Sequence, residues 1–174
     1  MIKPITKLYL KIFISTGLSF GIITLFIDLY NGIEIELWKY IFLTFFFGLL
    51  MSLASVYLHK NKLKKSGINE INEANLKVTQ SRDIQTDLNK SELTRKIKED
   101  PSIRKMKIKE IENGIVIRTG MTLWSFGEII KIELKSTKDS VFEYNVTSRP
   151  KLKITLIDYG KNIQNIDLIK KVIT

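Results

Sequence analysis

The chain has 174 residues and a net charge of +10, from 28 Lys and Arg against 18 Asp and Glu, with one histidine and no cysteine. Disulfide scaffolds, cysteine nucleophiles and thiolate metal sites are thereby excluded. A mean hydropathy close to zero beside 26% charged residues reports two kinds of sequence averaged together. One is the apolar stretch of residues 12–58, and the other is a remainder rich in Lys, Asn, Glu and Ile.

The first predicted element is an apolar helix. Ile12 to Ile27 is sixteen consecutive residues without a charge, extended by Leu8, Tyr9, Leu10, Leu29 and Tyr30 to a span of about 8–30. Tyr40 to Leu58 is a second run of nineteen uncharged residues, within a span of about 38–58. About 20 helical residues at ~1.5 Å each cross a ~30 Å hydrocarbon core, so residues 1–58 read as a transmembrane α-hairpin. No small-x-small cleavage site follows the first run, which makes it an uncleaved anchor rather than a secretory signal. Lys3, Lys7 and Lys11 precede the first span and Lys60, Lys62, Lys64 and Lys65 follow the second, while the connector holds Asp28, Glu34 and Glu36 against Lys39. The positive-inside rule then puts both termini in the cytoplasm and a short loop outside. Tyr9, Tyr30, Trp38, Tyr40 and Tyr57 sit near the span ends as headgroup-level anchors. Gly17 and Gly21 on the first helix, and Gly48, Ser52 and Ser55 on the second, form narrow faces that pack either within the hairpin or between protomers. Asp28 lies within about a turn of the outer surface, where a charge reaches water cheaply, so no proton or ion site is expected there.

Residues 59–73 read as a basic juxtamembrane linker. Lys60, Lys62, Lys64 and Lys65 are placed to contact the anionic inner leaflet, each contributing ~1 kcal/mol at best. His59 has no metal-ligating partner at workable spacing. Residues 74–174 are enough for a small domain. Leu76 and Val78 suggest an opening strand. Asn89 and Glu92 fit a capping box ahead of a helix from Lys90 to Glu99, which Asp100-Pro101 stops. Met106 to Ile111 and Ile115 to Ile117 flank Asn113-Gly114, the strongest hairpin signal in the chain. Period-two alternation then marks strands at Ile130–Lys135, Phe142–Val146 and Leu152–Leu156. Asn162 can cap a last helix with Ile163, Ile166, Ile169 and Ile173 on one side. The expected fold class is therefore a two-helix membrane hairpin plus a small α+β domain, an antiparallel sheet of five or six strands with two helices on its apolar face.

The chemical inventory is thin. Without cysteine and with a single histidine, neither a nucleophile–histidine pair nor an ordinary zinc site is expected, and no Gly-rich phosphate loop occurs. No metal, cofactor or catalytic residue is assigned. Trp124 and Phe126 beside Gly127 read either as a bulge with core aromatics or as a binding lip. Arg149, Lys161 and Asn162 bracket the turn at Asp158-Tyr159-Gly160, which reads either as a structural turn or as an anion site at the start of the last helix. Arg95, Lys96, Lys98, Arg104, Lys105, Lys107 and Lys109 lack interleaved aromatics. They suit a face turned to anionic lipid better than a nucleic-acid polymer.

Trp124-Ser125-Phe126-Gly127-Glu128 and the stretch from Asp158 to Ile166 resemble recurring motifs of small uncharacterised bacterial two-pass membrane proteins with a C-terminal sheet-rich domain. The resemblance covers about the last 50 residues. It implies a bacterial inner-membrane location and no activity. In layout, the chain is also similar to the membrane effectors of cyclic-oligonucleotide anti-phage systems, which sense a nucleotide and oligomerise in the inner membrane. Two functions follow as expectations. One is a non-enzymatic anchored accessory protein that engages a protein partner, a second copy or a membrane-proximal ligand. The other is a ligand-gated membrane effector.

Overall fold

Pro4 opens the first helix, α1 (Pro4–Tyr30), at a position where its missing N–H would be unpaired in any case. The computed structural model describes residues 3–122 and 125–174 and divides into two units, Met1–Leu76 and Lys77–Thr174. The first unit holds α1 and α2 (Leu37–Lys65), both longer than the predicted spans. The helix α2 continues through Lys60, Lys62, Lys64 and Lys65, so the first part of the expected linker is helical. It stops where the Ile68 N–H reaches the Leu63 carbonyl and the Gly67 N–H reaches the Lys64 carbonyl, with Gly67 at φ +79°. This double closure needs a left-handed residue, the conformation glycine adopts without penalty. Lys62, Lys64 and Lys65 then face the negative end of the helix dipole.

The two helices meet along their small residues. A Cβ on Gly48 would lie 2.7 Å from the Phe13 carbonyl oxygen and 3.2 Å from the Gly17 Cα, so the backbones are in contact. Phe20 stacks on Phe47 at 4.1 Å, and Phe13 meets Phe45 edge-on at 5.5 Å. Near the connector, Lys39 Nζ at 2.6 Å and Tyr40 Oη at 2.9 Å donate to Asp28, which is only 7% exposed. Asp28 thus ties the helix ends together instead of standing in water. Gly17, Gly21 and Gly48 are buried inside the hairpin, as is Ser52, whose hydroxyl bonds the Leu49 carbonyl. The outward surface is apolar, with Ile14, Leu18, Ile22, Phe42, Phe46 and Leu50 exposed. Both helices are long and apolar enough to cross a membrane.

The second unit contains β1 (Gln80–Thr86), α3 (Lys90–Glu99), β2 (Lys107–Ile111), β3 (Gly114–Arg118), β4 (Glu128–Lys138), β5 (Val141–Pro150) and α4 (Lys161–Ile173). All strand pairs are antiparallel, in the order β1-β5-β4-β3-β2. One sheet face carries rows such as Ile115–Ile132–Val146 and Ile84–Tyr144, and Leu93 and Ile97 of α3 with Ile166, Ile169 and Ile173 of α4 cover it. Burying each of these side chains is worth roughly 1.5–3 kcal/mol, which fixes the register. The capping box forms as expected: Asn89 Oδ1 accepts from the Ser91 and Glu92 N–H groups, and the Glu92 carboxylate accepts from the Asn89 N–H.

Two strand expectations need correction. Leu76 and Val78 precede β1, because Leu76 is held in a turn through its N–H to the Asn72 carbonyl. The run Leu152–Leu156 is not a sixth strand. The Thr155 N–H and hydroxyl both bond the Leu152 carbonyl, closing a turn, and Leu152 and Ile154 stand exposed.

Candidate binding groove

The register places the end of β3, the start of β4, the end of β5 and the start of β1 at one end of the sheet, through Arg118↔Ile129, Glu128↔Pro150 and Gln80↔Ser148. A groove of about 490 Å³ lies there, lined on one side by residues 121–122 and 125–128 and on the other by residues between 150 and 159. Its apolar lining includes Met121, Phe126, Leu152 and Ile154, and its polar lining includes Ser125, Glu128 and Asp158. Met121, Phe126 and Ile154 are 73, 63 and 83% exposed, high values for large apolar side chains.

The two carboxylates are buried. Glu128 accepts from the Thr119 hydroxyl at 2.6 Å and from the Ser125 hydroxyl. The same hydroxyls accept in turn from the Glu128 N–H at 2.7 Å and the Gly127 N–H at 2.9 Å. Lys151 Nζ reaches the Thr119 carbonyl at 2.5 Å and its N–H the Gly127 carbonyl at 2.9 Å, tying the two sides of the groove together. Asp158 accepts from the Gly160 N–H at 3.1 Å, the Asn162 N–H at 3.0 Å and Asn162 Nδ2 at 2.9 Å. Asn162 Oδ1 accepts from the Ser148 hydroxyl at 2.6 Å, its Nδ2 also reaches the Val78 carbonyl at 2.7 Å, and Asn165 Nδ2 donates to Ser148 at 3.1 Å. Tyr159 and Gly160 are both left-handed, at φ +53° and +72°, and the turn they make brings the Gly160 and Asn162 amides to the Asp158 carboxylate. For Tyr159 this conformation costs of order 1–3 kcal/mol, offset by the buried network around it. Both carboxylates thus accept hydrogen bonds from donors of the fold itself, Glu128 from two hydroxyls that precede it in sequence and Asp158 from the turn that follows it.

No known protein family, curated protein or solved structure matches the chain. Its chemistry therefore rests on this geometry alone. Asn162 is wholly buried and belongs to the Asp158 network. Lys161 is the first residue of α4, and Arg149 is exposed on the sheet opposite Ile129; neither lines the groove. The amides at the start of α4 already hold the Asp158 carboxylate, which occupies the position an outside anion would take. Trp124 lies outside the described residues. Among the described residues, no three His, Asp or Glu side chains converge as metal ligands do.

The sheet face away from the helices divides by charge. In its far half, Lys135 lies 2.7 Å from Asp83 and 3.1 Å from Glu143. Hydrogen bonds from Lys135 and Asn145 hold the Asp83 carboxyl below the ordinary range, and those from the Ser136 hydroxyl and Lys135 do the same for Glu143. At the groove end the same face carries exposed Lys107, Lys109, Arg118 and Arg149, which have no ion pair among the described residues. Sequence reasoning missed Met121, Ile154 and the Glu128 cluster. The local signals were Ser125-x-Gly127 and Asp158-x-Gly160, in which a side-chain oxygen accepts from the amide two residues on.

Proposed function

We propose that this protein is a non-enzymatic binding protein anchored in the bacterial inner membrane by its two-helix hairpin, with both termini cytoplasmic. Its α+β unit engages a protein partner or membrane-proximal ligand through the groove. The groove carries this reading: three large apolar side chains stand in solvent at its rim, while its carboxylates accept hydrogen bonds from the fold's own groups, Glu128 from two hydroxyls and Asp158 from two backbone amides and the Asn162 side chain. Exposed apolar clusters of this kind mark binding surfaces, and unsatisfied titratable groups mark reaction sites. The lysines flanking the two apolar helices support the orientation. The layout also suits an oligomerising effector, but such an assembly would need a helix face other than Gly17, Gly21 and Gly48, which the hairpin itself uses. The test places a photoreactive residue at Phe126 or Ile154 of the full chain in membranes of its native host. Adducts in fixed ratio at both positions, and none at Glu112 in the β2–β3 turn, are expected. Yields at 126 and 154 no higher than at Glu112 would overturn the reading.

A further inference from the structure

Resting on that reading, we infer that the occupant of the groove end is the anionic surface of the chain's own bilayer, with Met121, Phe126 and Ile154 entering the headgroup region. Three observations converge on one end of one unit. The first is connectivity: the chain leaves α2 at Lys65 and enters β1 at Gln80, and Gln80 pairs with Ser148 at the groove end. The second is apolar exposure, since the same end presents Met121, Phe126 and Ile154 to solvent. The third is charge. Lys107, Arg118 and Arg149 fall in one register row with Ile129, Lys109 falls in the next, and Lys153 follows Leu152 on the groove strap. Glu128 and Asp158 at this end are buried and hydrogen-bonded inside the fold, and Glu133 on the open face is paired with Lys131. Apolar side chains at the same sheet end as cations that have no ion pair among the described residues match an interface with apolar depth below anionic headgroups. A protein partner with an acidic apolar patch is the competing occupant, and it needs no membrane.

The test uses the full chain in nanodiscs containing lipid alone. The chain has no cysteine, so single spin labels are introduced as Phe126→Cys, Ile154→Cys and, at the opposite end of the sheet, Glu112→Cys. In discs of phosphatidylcholine with phosphatidylglycerol, labels at 126 and 154 should gain oxygen accessibility and lose access to a water-soluble nickel chelate, while the label at 112 stays aqueous. Replacing Arg118 or Arg149 by Gln should lower the inserted-to-free ratio about fivefold per cation removed. Both are exposed positions, and circular dichroism confirms the fold of each variant. Labels at 126 and 154 as nickel-accessible as at 112, or insertion equal in pure phosphatidylcholine, overturns the inference. If such labels stay aqueous while the photoreactive positions still capture a protein in native membranes, this inference fails and the binding reading stands. If both experiments fail, both fall.

Discussion

Asp158→Ala removes the acceptor that holds the start of α4. Three donors lose it: the Gly160 N–H, the Asn162 N–H and Asn162 Nδ2, of which only Nδ2 keeps another acceptor, the Val78 carbonyl. Gly160, Asn162 and Asp158 are all buried, so water does not replace the lost oxygen without rearrangement. At ~1–3 kcal/mol for each stranded donor, the two backbone amides set a loss of about 3 kcal/mol. For a unit of this size about 4–8 °C accompanies each kcal/mol, so the melting temperature should fall by about 12–24 °C. Asp158→Asn retains one acceptor oxygen and should cost less than half as much. The assay is thermal unfolding of the full chain in detergent, followed by loss of the sheet signal in circular dichroism. A melting temperature for Asp158→Ala within about 2 °C of the parent would refute the network, and with it the view that this turn is structural rather than a vacant anion site.

Gly48→Ala should splay the hairpin at a cost of about 1–3 kcal/mol, because its methyl group would meet the Phe13 backbone carbonyl; distance measurements between labels at Leu10 and Tyr57 should lengthen and broaden. Gly120→Ala, where a Cβ would meet nothing within 4 Å, should leave stability unchanged, and a comparable loss there would undercut the steric reasoning. Ile169→Ala empties a fully buried position under the sheet and should cost about 2–5 kcal/mol in denaturant unfolding. Asp83 and Glu143 hold their protons less readily folded than unfolded, so the stability they add is complete above about pH 5 and is lost as pH falls through their lowered values. Asp83→Asn with Glu143→Gln should flatten the acid limb of the melting curve against pH, and an unchanged limb would contradict the Lys135 ion pairs.

The parts of the fold set by local chemistry were legible in the sequence. The capping box at Asn89 and Glu92 fixed α3, and Asn113-Gly114 located the β2–β3 hairpin, although the two loop residues are Glu112 and Asn113 because Gly114 already pairs with Ile111. The apolar alternation of Ile130, Ile132, Tyr144 and Val146 named the covered face. Polar β1 was displaced because only Ile84 and Thr86 of that strand are buried, too few to show a period. Leu152 and Ile154 were misread for the opposite reason: alternation with lysine imitates a half-buried strand, yet these side chains point to solvent at a groove. The groove itself was hidden because it joins residues 121–122 and 125–128 to residues between 150 and 159, and a single sequence does not reveal which loops share a sheet end. The division of the open face into paired and unpaired charge likewise depends on register across all five strands.

The most direct test of an anchored binding role is the mass of the chain released from native-membrane nanodiscs, for the parent and for Phe126→Asp with Ile154→Asp. The binding reading predicts that the parent retains lipid or a protein partner in fixed ratio and that the double variant, still folded, has lost it. Parent and variant released as identical bare chains would contradict it.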